Sequence, residues 1–154
     1  MRITVILVTA ALAAVPASAL DLTGTWAGSF KCLEFNGSLS KYRVDDATFL
    51  ISQAGTTLKI TWVGEIPLGG LVVADASKPD TAGFASFVHC DTDADLTTGF
   101  SELAVVQVKV NRDKGKGSLR GLGQYTSDGS TIGACTIKLK LTDTADPGGA
   151  GCAP

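Results

Sequence analysis

Three aspartates and a glutamate form the sequence pattern best suited to bind a metal ion. Asp91, Asp93 and Asp95 alternate along the chain and Glu102 follows, so carboxylates occupy positions one, three, five and twelve of a twelve-residue stretch. Calcium loops between two helices place oxygen ligands at this spacing, although they need glycine at position six, which is Leu96 here. The pattern makes these four carboxylates candidate calcium ligands. A solvated acidic loop between two strands is the interpretation that we favour, because such motif matches also arise without a metal ion.

The four cysteines offer a second chemistry, either disulfide bonding or metal binding. Their even number favours two disulfides, which allow three pairings. A zinc site would need closely spaced ligands, and the sequence has no C-x-x-C pair and a single histidine, His89. We therefore expect disulfides among Cys32, Cys90, Cys135 and Cys152.

Catalytic groups are harder to find. On a strand His89 would point away from Cys90, and no serine or cysteine lies in an activating motif such as G-x-S-x-G. Glu34, Glu65 and Glu102 are carboxylates of the kind that sugar cleavage uses in pairs, but a sequence does not give the distance between them. We predict no catalytic residue, and the protein is expected not to be an enzyme.

The first 19 residues have the pattern of a secretory signal peptide. A basic start at Arg2 precedes an apolar stretch over 3–15, and small residues at 17 and 19 suit a peptidase that cuts after Ala19. A membrane anchor is the alternative, but a helix of 13 residues falls short of a hydrocarbon core about 30 Å thick. The prediction is a secreted or periplasmic protein with no membrane span after cleavage.

Charge argues against some partners. The predicted mature part carries 12 basic and 15 acidic residues, with no run of basic residues along the chain. The charge balance therefore disfavours nucleic acid and an anionic membrane as partners.

Apolar residues recur with a period of two in short runs separated by turn residues, which predicts an all-β protein. Trp26, Gly28, Phe30 and Cys32 share one side of the first run. The eight predicted strands lie within 25–32, 49–53, 58–62, 71–74, 84–90, 106–110, 118–125 and 135–141.

Eight strands with short turns favour a small antiparallel up-and-down meander barrel at 20–142, followed by a flexible tail at 143–154. An open sandwich is the alternative. In a closed meander the first and last strands are antiparallel neighbours, so Cys32 should bond to Cys135. The two remaining cysteines, Cys90 and Cys152, would then form the second disulfide.

The opening Gly24-Thr25-Trp26 resembles the Gly-x-Trp motif of the lipocalins and of the avidin group, which are calycin-like eight-stranded barrels. The resemblance implies that Trp26 plugs one end of such a barrel. The turn at 111–113 departs from the lipocalin pattern, and Lys138 and Lys140 should point outward. The wider layout, including His89-Cys90 and the segment 133–136, is similar to uncharacterised exported bacterial proteins.

Aromatic side chains suggest what such a barrel would hold. Trp26 is a candidate floor and Phe49 and Trp62 are candidate walls of a pocket for a small apolar or amphipathic molecule, with Phe84 and Phe87 as further candidates. Core filling is the competing interpretation. Two other functions stay open: a partner-binding or inhibitor module that acts through its loops, and a calcium-stabilised structural protein.

Overall fold

The computed structural model describes residues 20–64, 67–90, 101–127 and 131–152 and shows a closed antiparallel barrel. Each strand pairs with its neighbours along the chain, and the eighth returns to the first. The all-β meander barrel predicted from the sequence is therefore confirmed. The strands are β1 Gly24–Phe35, β2 Leu39–Ala54, β3 Thr57–Trp62, β4 Pro67–Ala74, β5 Ala82–His89, β6 Ser101–Asn111, β7 Lys116–Ser127 and β8 Thr131–Asp143.

The core fills the barrel interior with side chains from alternate positions of each strand. In β6, Ala104, Val106, Val108 and Val110 are buried while the residues between them are exposed. A closed sheet turns every second side chain inward, so a period of two separates one apolar interior from the solvent-facing outside. The same alternation explains why all eight strands were visible in the sequence.

The seam between β1 and β8 has the predicted register. Phe30 lies opposite Ile137, Trp26 opposite Leu141, and Cys32 opposite Cys135. Cys32 and Cys135 form a disulfide with their Cα atoms 4.0 Å apart. The predicted pairing is confirmed.

The largest difference from the predicted strands is in β2, which begins at Leu39 and not near Phe49, while β4 and β6 also begin several residues earlier than predicted. Within the described residues, 39–47 pair with β1 alone, and the pairing of β2 with β3 starts at Phe49. Most side chains of this part are exposed on both faces, so no apolar alternation marked it as a strand. The β1–β2 hairpin therefore extends beyond β3 at one end of the barrel. We call this end of the barrel the upper end.

The opposite end, the lower end, is closed by the residues that lead into β1. Leu20 and Leu22 are fully buried, and the Trp26 indole Nε1 donates to the Leu22 carbonyl at 2.8 Å. Gln53 holds the same segment, since its Nε2 donates to the Leu20 carbonyl at 2.8 Å. Arg112 adds a hydrogen bond from its guanidinium to the carbonyl of Thr23.

The C-terminal tail over 144–152 has no helix or strand, and it lies against the outside of β2, β3 and β4. Gly149 N–H donates to Ser52 Oγ at 2.8 Å and Ala150 N–H donates to Thr61 Oγ1 at 2.9 Å. The tail runs so close that a Cβ at Gly151 would lie 2.1 Å from a strand carbonyl oxygen. It ends in the second predicted disulfide, Cys90–Cys152, which is also confirmed.

The predicted signal peptide at 1–19 lies outside the described residues. Within the ranges that the structure describes, no helix has the length and apolar character needed to cross a membrane. Two disulfides without a free cysteine indicate an oxidising compartment and not the cytoplasm.

Candidate functional site

Four aromatic rings pack together in the upper half of the barrel. Phe30 meets Phe49 and Trp62 edge to face, with ring centroids 5.6 and 5.1 Å apart. Phe49 stacks on Trp62 at 5.6 Å and on Phe87 at 6.4 Å. Such contacts favour fixed ring orientations. We call this group the aromatic cluster.

The three residues predicted to shape a pocket lie in one inward row. Trp26 is opposite Phe49 across β1 and β2, and Phe49 is opposite Trp62 across β2 and β3. Strands of a barrel tilt, so this row climbs from Trp26 at the lower end to Trp62, the last residue of β3. Trp26 is fully buried, whereas Trp62 is half-buried. The pocket itself stays a prediction.

One of the further pocket candidates was wrong. Phe84 points outward with 57% of its surface exposed, while Phe87 is buried against Phe49. The two residues are three apart on β5, and an odd separation on a strand places side chains on opposite faces. The same parity puts His89 on the inward side with Phe87 and Cys90 on the outward side.

Above the aromatic cluster, three polar side chains form a chain of hydrogen bonds. The Tyr42 hydroxyl donates to the Tyr125 hydroxyl at 3.0 Å, and the Tyr125 hydroxyl donates to the Glu34 carboxylate. Tyr42 lies directly opposite Cys32, and Glu34 is two residues further along β1. All three therefore lie on the inward side of the upper end, beside the Cys32–Cys135 disulfide. The sequence contains two tyrosines, and both are here.

Gly133 makes this arrangement possible. It lies between Tyr125 on β7 and Glu34 on β1, directly opposite both. A Cβ at this position would be 2.0 Å from Cε1 and 2.1 Å from Cζ of the Tyr125 ring. The tyrosine therefore crosses the β8 backbone to reach a carboxylate two strands away.

Burial is the main cause that raises the pKa of the Tyr125 phenol above its ordinary value of 10.0, and the hydrogen bonds with Glu34 and Tyr42 raise it further. The phenol therefore stays protonated at neutral pH and can donate a hydrogen bond. A carboxylate has room for about four hydrogen bonds, so Glu34 keeps acceptor capacity for another group.

The predicted calcium ligands cannot be judged from the fold. Asp91, Asp93 and Asp95 lie outside the described residues, and Glu102 falls near the start of β6. Among the described residues, no cluster of histidine, cysteine, aspartate or glutamate side chains has the arrangement of a metal site. Calcium binding stays a prediction, and melting with and without millimolar calcium would test it, because a bound ion raises the midpoint.

The Glu34–Tyr125–Tyr42 chain was not visible in the sequence. Tyr42 and Tyr125 are 83 positions apart, and Tyr125 and Glu34 are 91 apart. The sequence did contain one indication of this site. Side chains at alternate positions of a strand point to the same side, so a polar residue two positions after Cys32 must face the barrel interior or its rim. Glu34 is that residue.

Comparison with protein-family models, with curated protein sequences and with solved structures gives no match to this chain. The closed eight-stranded barrel is compatible with the calycin-like architecture that the Gly24-Thr25-Trp26 opening suggested. Membership of the lipocalin or avidin groups stays a prediction.

Proposed function

We propose that the protein is an exported binding protein whose upper end takes a small amphipathic molecule. The observation that carries this proposal is the Glu34–Tyr125–Tyr42 chain, which holds a carboxylate on the inward side directly above the aromatic cluster. A ligand-binding barrel combines apolar walls with a few fixed polar groups in this way.

The spacing of these groups sets the size of the ligand. Glu34 is four residues beyond Phe30 on β1, roughly 13 Å along an extended strand. The ligand's apolar part would contact Trp62 and Phe30, and the Cys32–Cys135 disulfide would line the wall above them. Its polar end would reach Glu34.

The charge of Glu34 sets the chemistry of the polar end. A carboxylate accepts hydrogen bonds and attracts cations, so an amine or another hydrogen-bond donor is favoured over a carboxylate. The Tyr125 phenol adds a fixed partner that keeps the Glu34 side chain in place.

Titration calorimetry with n-octylamine and n-octanoate tests this proposal. We expect octylamine to bind more tightly than octanoate, and Glu34→Gln to weaken octylamine binding by at least about tenfold. Asp80→Asn is the matched control, because Asp80 is an exposed carboxylate in the turn between β4 and β5. No binding of octylamine, or equal binding by Glu34→Gln and the parent protein, would contradict the proposal.

Native mass spectrometry of protein from its own host gives a second test. A retained molecule lost from Glu34→Gln supports the proposal, and a clean apo mass together with no response to octylamine opposes it. The same spectrum reads whether residues 1–19 have been removed.

A second function, binding of a partner protein through the rim of the upper end, is favoured by a row of exposed apolar side chains. Phe35 lies opposite Leu39 on β2 and opposite Ile132 on β8, and all three are exposed. A pull-down of secreted proteins with the parent chain and with Phe35→Ser would separate this function from the first. Loss of a captured protein in Phe35→Ser, with octylamine binding unchanged, would support it.

A further inference from the structure

The outward side of β6, β7 and β8 carries a concentration of positive charge. Lys109, Arg120, Lys138 and Lys140 are exposed there, and Arg120 lies directly opposite Lys138. Like charges in directly opposed positions of neighbouring strands destabilise a sheet. Within 105–111, 118–126 and 132–142, none of the residues on the outward side of these three strands is acidic.

Among the residues that the structure describes, no acidic side chain forms an ion pair with these four basic residues. Across the part of the chain that the structure describes, ion pairs form between Arg43 and Asp45 and between Arg112 and Asp21. Neither pair includes Lys109, Arg120, Lys138 or Lys140. Their charge is therefore available to an anionic partner.

Two of these basic residues line a groove between β6 and β7. It has a volume of about 220 Å³ and is lined by Gln107, Lys109, Ser118 and Arg120. An ammonium, a guanidinium, an amide and a hydroxyl thus surround one space, and all four can donate hydrogen bonds to an anion. Arginine and lysine are the usual partners of phosphate groups.

Exposed apolar side chains adjoin the groove. Val105 lies directly opposite Leu122, and the two side chains are 51% and 68% exposed. Phe84, which is 57% exposed, lies directly opposite Gln107 of the groove. Exposed apolar residues that cluster beside charged ones mark interaction sites more often than single exposed residues do.

We propose that this side of the barrel docks on the surface of an anionic phospholipid bilayer. The docking residues are Phe84, Val105, Leu122, Lys109, Arg120 and Lys138, which we call the β6–β7 surface. Lipid phosphates contact the basic residues and the groove, while the apolar side chains enter the boundary between headgroups and acyl chains. A soluble polyanion would use the charges but leave Phe84, Val105 and Leu122 in water, so the bilayer accounts for both features.

This proposal reverses the expectation drawn from charge along the chain. The mature part is acidic overall, but attraction to a membrane depends on the charges within a Debye length of it, about 8 Å at physiological salt. The basic residues of the β6–β7 surface come from three strands and meet only in the folded barrel.

Vesicle flotation tests the proposal with the oxidised chain. The two lipid samples are phosphatidylcholine alone and a mixture in which about a third of the lipid is phosphatidylglycerol. We expect binding to the anionic vesicles, little binding to the neutral ones, and weaker binding as salt is raised. Arg120→Gln with Lys138→Gln should weaken binding about fivefold for each charge removed. Leu122→Ser should weaken it roughly tenfold through lost apolar contact.

Two controls match these changes elsewhere on the surface. Lys59→Gln removes an exposed charge on β3, and Val63→Ser removes an exposed apolar side chain just after β3. Both should bind vesicles as the parent does. The apolar stretch at 3–15 is common to all variants, so differences between variants report on the β6–β7 surface.

Three results would overturn the proposal. The first is equal binding to neutral and anionic vesicles, and the second is equal binding by the double variant and Lys59→Gln. The third is binding to a soluble polyanion such as heparin that is as tight as binding to vesicles and that Leu122→Ser leaves unchanged. That result would assign the surface to a polyanion and not to a bilayer.

Discussion

Cys32 and Cys135 are directly opposed across the seam where β1 and β8 close the barrel, and their sulfur atoms are bonded. The bond therefore joins the first strand of the sheet to the last one. All other neighbouring strands are joined by the chain itself, so this seam is the place where a covalent link adds most to the connectivity of the sheet.

The first prediction concerns this seam. Replacing both cysteines with alanine should lower the free energy of unfolding by up to about 4.7 kcal/mol, because the bond constrains an unfolded loop between residues 103 positions apart. Urea unfolding of the oxidised parent and the double variant measures the difference. A loss of less than about 1 kcal/mol in the free energy of unfolding would show that the hydrogen bonds between β1 and β8 hold the seam without the disulfide.

The second disulfide supplies the control. Cys90 and Cys152 are 62 positions apart, which the same entropy argument converts to about 4.3 kcal/mol. Because the two values are close, a much larger loss at the seam would mean that its bond also stabilises native packing.

The second prediction separates the two tryptophans, which belong to one inward row but differ in burial. Trp26→Ala should cost about 3–5 kcal/mol, since it opens a cavity at the lower end and leaves the Leu22 carbonyl without its indole donor. Trp62→Ala should cost roughly half as much, because Trp62 is only half-buried. Urea unfolding followed by far-ultraviolet circular dichroism measures both.

Octylamine binding should show the opposite order. Trp62→Ala removes a ring from the proposed site and should weaken binding strongly, whereas Trp26→Phe keeps the lower end filled and should bind as the parent does. Equal effects of the two changes would remove Trp62 from the proposed site.

The architecture was predictable because a period of two marks at least part of every strand, and a closed meander then fixes which strands are neighbours. The inward parity of Cys32 and Cys135 was enough to pair them. The length of β2 was not predictable, because residues 39–47 lie beyond β3 and bury few side chains.

The candidate site was only partly predictable, for a related reason. Trp62 and Phe49 follow from alternation, but the partner of Glu34 depends on a tyrosine ring that crosses Gly133 between strands. Likewise, Arg120 and Lys138 become neighbours only through the β7–β8 register. Such contacts depend on register across the sheet, which the order of residues along one strand does not reveal.

The third prediction concerns the tail. Ser52→Ala should loosen it, because Ser52 Oγ donates to the Asp146 carboxylate and accepts from the Gly149 N–H. Amide hydrogen exchange at Gly149 and Ala150 should become faster. Ser86→Ala, an outward serine on β5, is the control and should leave both amides unchanged. Unchanged exchange in Ser52→Ala would show that the contact with Thr61 and the Cys90–Cys152 disulfide hold the tail without Ser52.

The same contact predicts a pH dependence. The hydrogen bond from Ser52, followed by the one from the Gly148 N–H, lowers the pKa of Asp146 below its ordinary value. A lowered pKa means that this contact stabilises the tail above the ordinary pKa and is lost as pH falls through the folded value. Carboxyl titration by NMR should show the Asp146 pKa rising toward its ordinary value in Ser52→Ala.

The fourth prediction concerns alkaline pH. The pKa of Tyr125 is raised, chiefly by burial, so above about pH 10 the unfolded chain loses this proton before the folded protein does. The free energy of unfolding should therefore fall as pH rises, by at most about 1.4 kcal/mol per pH unit from this group. Tyr125→Phe should lack this component, as urea unfolding at about pH 9 and pH 11 would show. An identical fall in Tyr125→Phe would assign the effect to other groups.

The fifth prediction uses Gly133 to break the polar chain without touching its members. Gly133→Ala places a Cβ within 2.0 Å of the Tyr125 ring, so the ring must leave its position over β8 and its hydroxyl must lose Glu34. With burial and the hydrogen bond both reduced, the pKa of Tyr125 should fall toward 10.0. Absorbance titration reads this change, since the chain has two tyrosines. Glu34→Gln keeps the ring buried and removes only the carboxylate, so it should lower the pKa of Tyr125 less than Gly133→Ala does.

The same variants separate the roles of Glu34 and Tyr125 in ligand binding. Because Glu34 keeps its charge in Gly133→Ala but loses its fixed partner, octylamine should still bind that variant more tightly than it binds Glu34→Gln. The reverse order would show that Tyr125, and not the carboxylate, dominates recognition at the upper end.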